Sequence, residues 1–353
     1  MKMRMKSIKN LVSFVVTCLV LVYCFVHVSY MQRGYTRLMD FYECEENTID
    51  VVFVGTSVTF SSFMPMEAWN NYGMAAFDYC TNVQFENALR YSIRDVLKTQ
   101  NPQLIMIDVA PYLSQHYAGA WEDEKDQKLY ISYNVDSKKY SMDRFRLLLE
   151  IISDIPSKNK LDSFLYYWFD ICRYHTNKLS IQQFNNSCHS AERGYGYLRR
   201  NEGSSIDVER LVWDDGTEIA LGEKHEKYLM LLIDEVQKCD CDVVFYCAPI
   251  LFEDCQRFQR KNYIKRILEE NGQIFWDFTT NIKDLDFDYE KDFWGRDHFD
   301  SLGAEKVTEL LCQKILANYD IPDRRGDKRY SEWDRDYLEW IELKQEYNDI
   351  DNE

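Results

Sequence analysis

Five short apolar runs punctuate the chain. Asp50-Val51-Val52-Phe53-Val54 is the first, closed by Gly55, and residues 77–80, 104–109, 243–248 and 274–277 follow. They have strand length and are mostly apolar at consecutive rather than alternate positions, the signature of strands buried on both faces. Helix-length amphipathic patterns lie among them. Residues 85–98 follow the second run, 223–238 precede the fourth, and 258–271 separate the fourth from the fifth. Strands alternating with such helices predict an α/β domain: a three-layer sandwich around a central, mostly parallel five-stranded sheet. In sheets of this kind ligands bind outside the carboxyl ends of the strands.

The rhythm breaks between the third and fourth runs. Residues 112–222 are rich in Tyr, Trp, Asp and Lys, with a helical pattern over 141–152 and loop character over 185–203. They read as a cap inserted into a domain spanning 48–320. Their aromatic density suits either sugar stacking or simple packing. Beyond it, 321–353 form a charged C-terminal tail in which 332–347 fit one last helix.

At the other end, residues 11–30 contain no Lys, Arg, Asp or Glu. Twenty helical residues reach about 30 Å, the thickness of a bilayer's hydrocarbon core. Residues 1–10 carry Lys2, Arg4, Lys6 and Lys9 and no acid, so this basic segment is expected on the cytoplasmic side. A cleaved signal peptide is the alternative. Its apolar part is usually shorter, and no small-residue cleavage site follows here. The expectation is therefore an uncleaved single-pass transmembrane anchor in the cell membrane. Residues 31–47 form a connector with helical character, and the bulk of the chain is extracytoplasmic.

Composition narrows the function classes. The 353 residues carry a formal net charge of −17 and no basic cluster beyond the N-terminus, which argues against a nucleic-acid partner. Eleven cysteines show neither metal spacing nor a compact disulfide framework. Cys80 and Cys247 sit in apolar runs and read as small buried hydrophobes. No metal-ligand motif, Walker-type loop or G-x-G-x-x-G occurs, so no cofactor is expected.

Two segments carry chemistry. Gly55-Thr56-Ser57 directly follows the first strand, where Gly55 permits a sharp turn and Ser57 stands at the strand's carboxyl end. Asp297-His298-Phe299-Asp300-Ser301-Leu302-Gly303-Ala304 precedes a helical pattern over 305–317. A serine nucleophile needs a general base within hydrogen-bond reach, and histidine, which ordinarily titrates near neutrality, is the usual one. Loops after the first and last strands of a parallel sheet emerge at the same end, so Ser57 and His298 are expected to converge.

Together these motifs resemble the SGNH (GDSL-like) hydrolase superfamily, across roughly residues 48–320. Its members place the nucleophile in a Gly-x-Ser turn after strand one and the base His near the C-terminus, on a flavodoxin-like sheet. More narrowly, the chain is similar to membrane-anchored bacterial proteins allied to D-alanyl-lipoteichoic acid transfer proteins and polysaccharide O-acyltransferases. Asp292-Phe293-Trp294, His298, Gly303-Ala304-Glu305-Lys306-Val307-Thr308 and the Tyr174-His175 segment carry that similarity. It implies a catalytic pair Ser57 and His298, and His175 in substrate binding. The implied partners are a cell-envelope polysaccharide or teichoic-acid-like glycan and a multi-spanning membrane protein as acyl donor.

The family's orienting Asp stands three residues before the His, where this chain has Gly295. Asp297, Asp292 or a backbone carbonyl remains to hold the ring. The family's oxyanion donors, a Gly after strand two and an Asn after strand three, are also missing; the Ser57 backbone N–H with Asn82 is the substitute. Two functions follow. One is an esterase or O-acyltransferase working through a Ser-His acyl-enzyme. The other is a catalytically impaired glycan-binding or assembly module that kept the fold.

Overall fold

The computed structural model describes residues 2–31, 37–156, 159–174, 190–199, 206–280 and 282–352. The central sheet has five strands: β1 (Val51–Gly55), β2 (Ala76–Cys80), β3 (Leu104–Asp108), β4 (Asp242–Cys247) and β5 (Ile274–Asp277). Their order is β2-β1-β3-β4-β5 and every pairing is parallel. The expected α/β sandwich is therefore present, with a wholly parallel sheet. β1, β2 and β3 are buried at every position, which is why their sequences are largely apolar without regular alternation.

Helix α1 (Lys2–Met31) precedes the sheet, and the short α2 (Ser57–Phe60) and α3 (Pro65–Tyr72) follow β1. After β2 comes α4 (Glu86–Val96). The chain steps one way along the sheet from β1 to β2 and the other way from β3 onward. Right-handed crossovers then put α3 and α4 on opposite faces and leave a crevice at the carboxyl ends of β1 and β3.

The insertion between β3 and β4 begins with α5 (Ala110–Leu113) and continues through α6 (Glu124–Asp136), α7 (Met142–Asp154), α8 (Lys160–Trp168) and α9 (Ile171–Tyr174). It has its own core, where Ile131, Val135, Leu147, Leu148 and Ile151 pack against Ala88 and Tyr91 of α4. Buried charges tie its helices together. The Arg173 guanidinium binds Asp136 at 2.7 Å and Asp170 at 2.8 Å, and Arg144 binds Asp170 at 3.3 Å. Residues 190–199 leave this cap and run beside the open edge of the sheet: the Asp78 N–H of β2 donates to the Arg193 carbonyl at 3.0 Å. Covering an edge in this way prevents it from pairing with another chain.

Helix α10 (Glu223–Val236) returns to β4, and α11 (Cys255–Glu270) links β4 to β5. A two-stranded antiparallel hairpin, β6 (Phe293–Gly295) with β7 (His298–Phe299), precedes α12 (Ser301–Leu316). The C-terminal segment ends in α13 (Ser331–Asn352). Trp333 and Trp340 of α13 are each 1% exposed and belong to the main core, and Trp333 stacks on Trp69 of α3 at 5.5 Å.

The transmembrane part of the expected fold is not supported. Among the described residues no helix is long and apolar enough to cross a membrane. Helix α1 runs from Lys2 to Met31 and includes the basic residues. Apolar side chains follow the basic ones along it, from Leu11 onward. Several of them, Leu11 and Phe14 among them, are exposed.

Candidate active site

The turn that carries Ser57 is built where β1 stops. Thr56 caps α2: its backbone is extended, and its Oγ1 accepts the Val58 N–H at 3.2 Å. Ser57 is the first residue of that helix, a position whose N–H has no intrahelical acceptor. The sequence invoked Gly55 for a sharp turn, but the structure gives a different reason for it. A Cβ there would lie 2.6 Å from the Asp108 Cβ and 2.6 Å from the Thr59 Oγ1, so the glycine is required by close approach. The Thr81 N–H donates to the Gly55 carbonyl at 3.2 Å, which brings the turn carrying Asn82 alongside.

The histidine arrives on the β6–β7 hairpin. Gly295 pairs with His298, and Arg296 and Asp297 form the two-residue turn between them. The next helix anchors this hairpin. The Asp300 carboxylate caps α12, accepting the Leu302 and Gly303 N–H groups at 2.9 and 3.0 Å. A Cβ on Gly303 would come within 1.9 Å of the Asp292 carbonyl oxygen, so only glycine admits this contact.

Ser57 and His298, 241 residues apart, meet: His298 Nε2 lies 2.8 Å from the Ser57 Oγ. The other ring nitrogen, Nδ1, lies 2.9 Å from the Asp297 Oδ1. Asp297 thus does what Gly295 cannot, because the tight turn swings its side chain back onto the neighbouring imidazole. Burial opposes ionisation of Asp297. The bond to His298, the charge of that ring and the Arg257 guanidinium at 3.6 Å outweigh it and hold the carboxyl well below the usual range. Asp292, the alternative partner, is elsewhere: its carboxylate accepts the Asp288 N–H and the Lys306 ammonium, both at 2.7 Å.

Two further groups near the site gave no sequence signal. Arg257, in the first turn of α11, makes its ion pair with Asp297 from forty residues upstream in the chain. His116 lies in the insertion; burial first, then the Arg257 charge, pushes its imidazole down to about 4, so it is neutral at ordinary pH. His225 sits apart, with Nδ1 2.8 Å from both oxygens of the buried Glu86. His175 falls outside the described residues, as does His189. Among the described residues no cluster of three or more His, Cys, Asp or Glu side chains is arranged to hold a metal ion. Cys80 and Cys247 are fully buried.

A serine hydroxyl on an imidazole whose far nitrogen is held by a carboxylate can act as a nucleophile, the imidazole taking the proton as the oxygen attacks. The chain matches no protein-family model and no curated protein.

Proposed function

We propose that this protein is a serine esterase or O-acyltransferase of the SGNH type, on a flavodoxin-like sheet, acting on cell-envelope carbohydrate. The observation that carries the reading is the relay from Ser57 through His298 to Asp297, with contacts of 2.8 and 2.9 Å at the carboxyl end of β1. Ser57 Oγ attacks the carbonyl carbon of an acyl ester while Nε2 of His298 takes its proton. The tetrahedral intermediate collapses, the imidazolium returns that proton to the departing alkoxide, and the acyl group remains on Ser57. Water or a carbohydrate hydroxyl then attacks the acyl-enzyme, with His298 again as base, and Ser57 is freed. The Ser57 backbone N–H, with Asn82 from the neighbouring turn, is the proposed donor pair for the oxyanion. Because water and a sugar hydroxyl enter at the same step, hydrolase and transferase differ only in which one the cap admits.

Helix α1 is proposed to hold the domain at the outer face of the cell membrane, with the N-terminus cytoplasmic. There an envelope polysaccharide or teichoic-acid-like glycan is the acceptor and a multi-spanning membrane protein supplies the acyl group. The charge-free stretch of residues 11–30 supports this.

The competing reading is a glycan-binding module without turnover. Gly295 and the missing oxyanion donors motivate it, and the carboxylate of Asp297 on the ring answers only the first of these. The two readings part in one experiment. The purified protein is given a short-chain aryl acetate, with and without an oligosaccharide acceptor. Turnover abolished by His298→Ala supports the enzyme; turnover equal in wild type and His298→Ala rejects it.

A further inference from the structure

Below the nucleophile turn lies a carboxylate without a cation. Asp108 ends β3 and is fully buried. Its Oδ2 accepts the hydroxyls of Thr56 at 3.3 Å and Thr59 at 3.0 Å, the residues on either side of the Ser57–Val58 pair. Its Oδ1 accepts the Ala110 N–H at 2.8 Å. Thr59 Oγ1 is also 3.0 Å from the Tyr246 hydroxyl on β4, so one polar network joins α2, β3 and β4 under the serine. The groups facing it from β2 and β4, Cys80, Tyr246 and Cys247, are themselves pushed toward their neutral forms by burial. Among the described residues no Lys or Arg bonds the carboxylate.

Such a group is costly to keep. Burial drives its carboxyl up to about 6 even though the surrounding N–H and O–H donors favour the ion. Buried carboxylates that serve stability alone normally have a cation beside them. Here the carboxylate instead gathers hydroxyls from one segment, residues 56–59. The glycine at position 55 leaves room for this packing, since a Cβ there would lie 2.6 Å from both the Asp108 Cβ and the Thr59 Oγ1.

We propose that Asp108 is a positioning residue for the nucleophile: through Thr56 and Thr59 it fixes the turn so that the Ser57 hydroxyl points at His298. The proposal rests on the esterase or acyltransferase reading for its kinetic consequence. The physical claim, that the carboxylate immobilises residues 55–59, stands without it.

The test uses the full chain with Thr59→Val, Thr59→Ser and Asp108→Asn. Two readouts run in parallel: the rate at which a fluorophosphonate labels Ser57, with kcat and KM on an aryl acetate, and backbone hydrogen exchange over residues 54–60. Thr59→Val keeps shape and removes one hydroxyl, so labelling and kcat should fall about 10- to 100-fold with KM changed less than about threefold. Thr59→Ser should recover most of that loss, which a merely space-filling role for the side chain would not produce. Asp108→Asn should fall at least as far as Thr59→Val. Labelling and kcat unchanged in Thr59→Val, per folded molecule, overturn the proposal. If the wild type itself neither labels nor turns over, the esterase reading fails and exchange alone decides. Faster exchange of 54–60 in Thr59→Val, at unchanged overall stability, then supports the positioning role, and unchanged exchange overturns it. Should Asp108→Asn not fold, the Thr59 pair carries the test.

Discussion

Asparagine at position 297 separates two explanations of how the imidazole is held. The substitution keeps the shape and removes the charge. The wild-type bond from His298 Nδ1 to the carboxylate is 2.9 Å, and a hydrogen bond to a charged group contributes about 1.5–3 kcal/mol. A second loss adds to it. If the amide NH₂ turns toward Nδ1, that nitrogen becomes the acceptor, Nε2 carries the proton, and the ring cannot deprotonate Ser57. The equivalent swap in serine proteases costs about 10⁴ in rate. Asp297 is 37% exposed, so water replaces part of what is removed and the smaller loss applies. The expectation is a fall in kcat of about 30- to 300-fold, or about 2–3.5 kcal/mol, with KM nearly constant. The assay is initial-rate hydrolysis of an aryl acetate, normalised to active sites by titration. Asp292→Asn is the control, because its carboxylate serves Lys306 and the Asp288 N–H instead of the ring, and its kcat should stay within about threefold. The reasoning is refuted if Asp297→Asn retains near-wild-type kcat while Asp292→Asn loses it.

Three stability predictions follow from the same contacts. Gly303→Ala forces a methyl to within 1.9 Å of the Asp292 carbonyl, so denaturant unfolding should show a loss of several kcal/mol, together with disruption of the hairpin that carries His298. Trp340→Ala empties a buried position and removes an indole N–H that donates to Glu67 at 3.0 Å; about 3–5 kcal/mol should be lost, and a change under 1 kcal/mol would mean that α13 is dispensable. Glu86 is pushed up to about 7 by burial, against the pull of His225, and its unfolded value is near 4.5, so the folded protein binds the extra proton between these pH values. Stability from this group is therefore full below pH 4.5 and declines as pH rises toward 7, by up to about 3 kcal/mol. Glu86→Gln should flatten that slope without abolishing it, since Asp108 acts in the same direction; an unchanged slope would remove Glu86 as its source.

The sheet was legible because burial on both faces leaves a strong mark. Apolar runs at 50–54, 77–80, 104–109, 243–248 and 274–277 became β1 to β5 with ends shifted by at most one residue. Ser57 and His298 were legible for a topological reason: loops at the carboxyl ends of parallel strands share one side of the sheet. Asp297 could only be one choice among several, because what aims its side chain is a turn between strands of three and two residues, too short for periodicity. Asp108 left no trace either. A polar residue at the end of an apolar run looks like an ordinary strand terminus until the turn above it is in place. The helix expected over 332–347 is α13, but the charge of residues 321–353 gave no sign of how it packs: Trp333 and Trp340 face the core and Arg193, from the cap, pairs with Asp336 and Glu332.

The central claim is that Ser57 is a nucleophile activated by His298. Incubating the folded protein with a fluorophosphonate and locating the adduct by peptide mass tests it most directly. The account predicts one adduct, on Ser57, absent in Ser57→Ala and formed at least about 100-fold more slowly in His298→Ala. An adduct on another residue, or labelling of Ser57 at the same rate without His298, would contradict it.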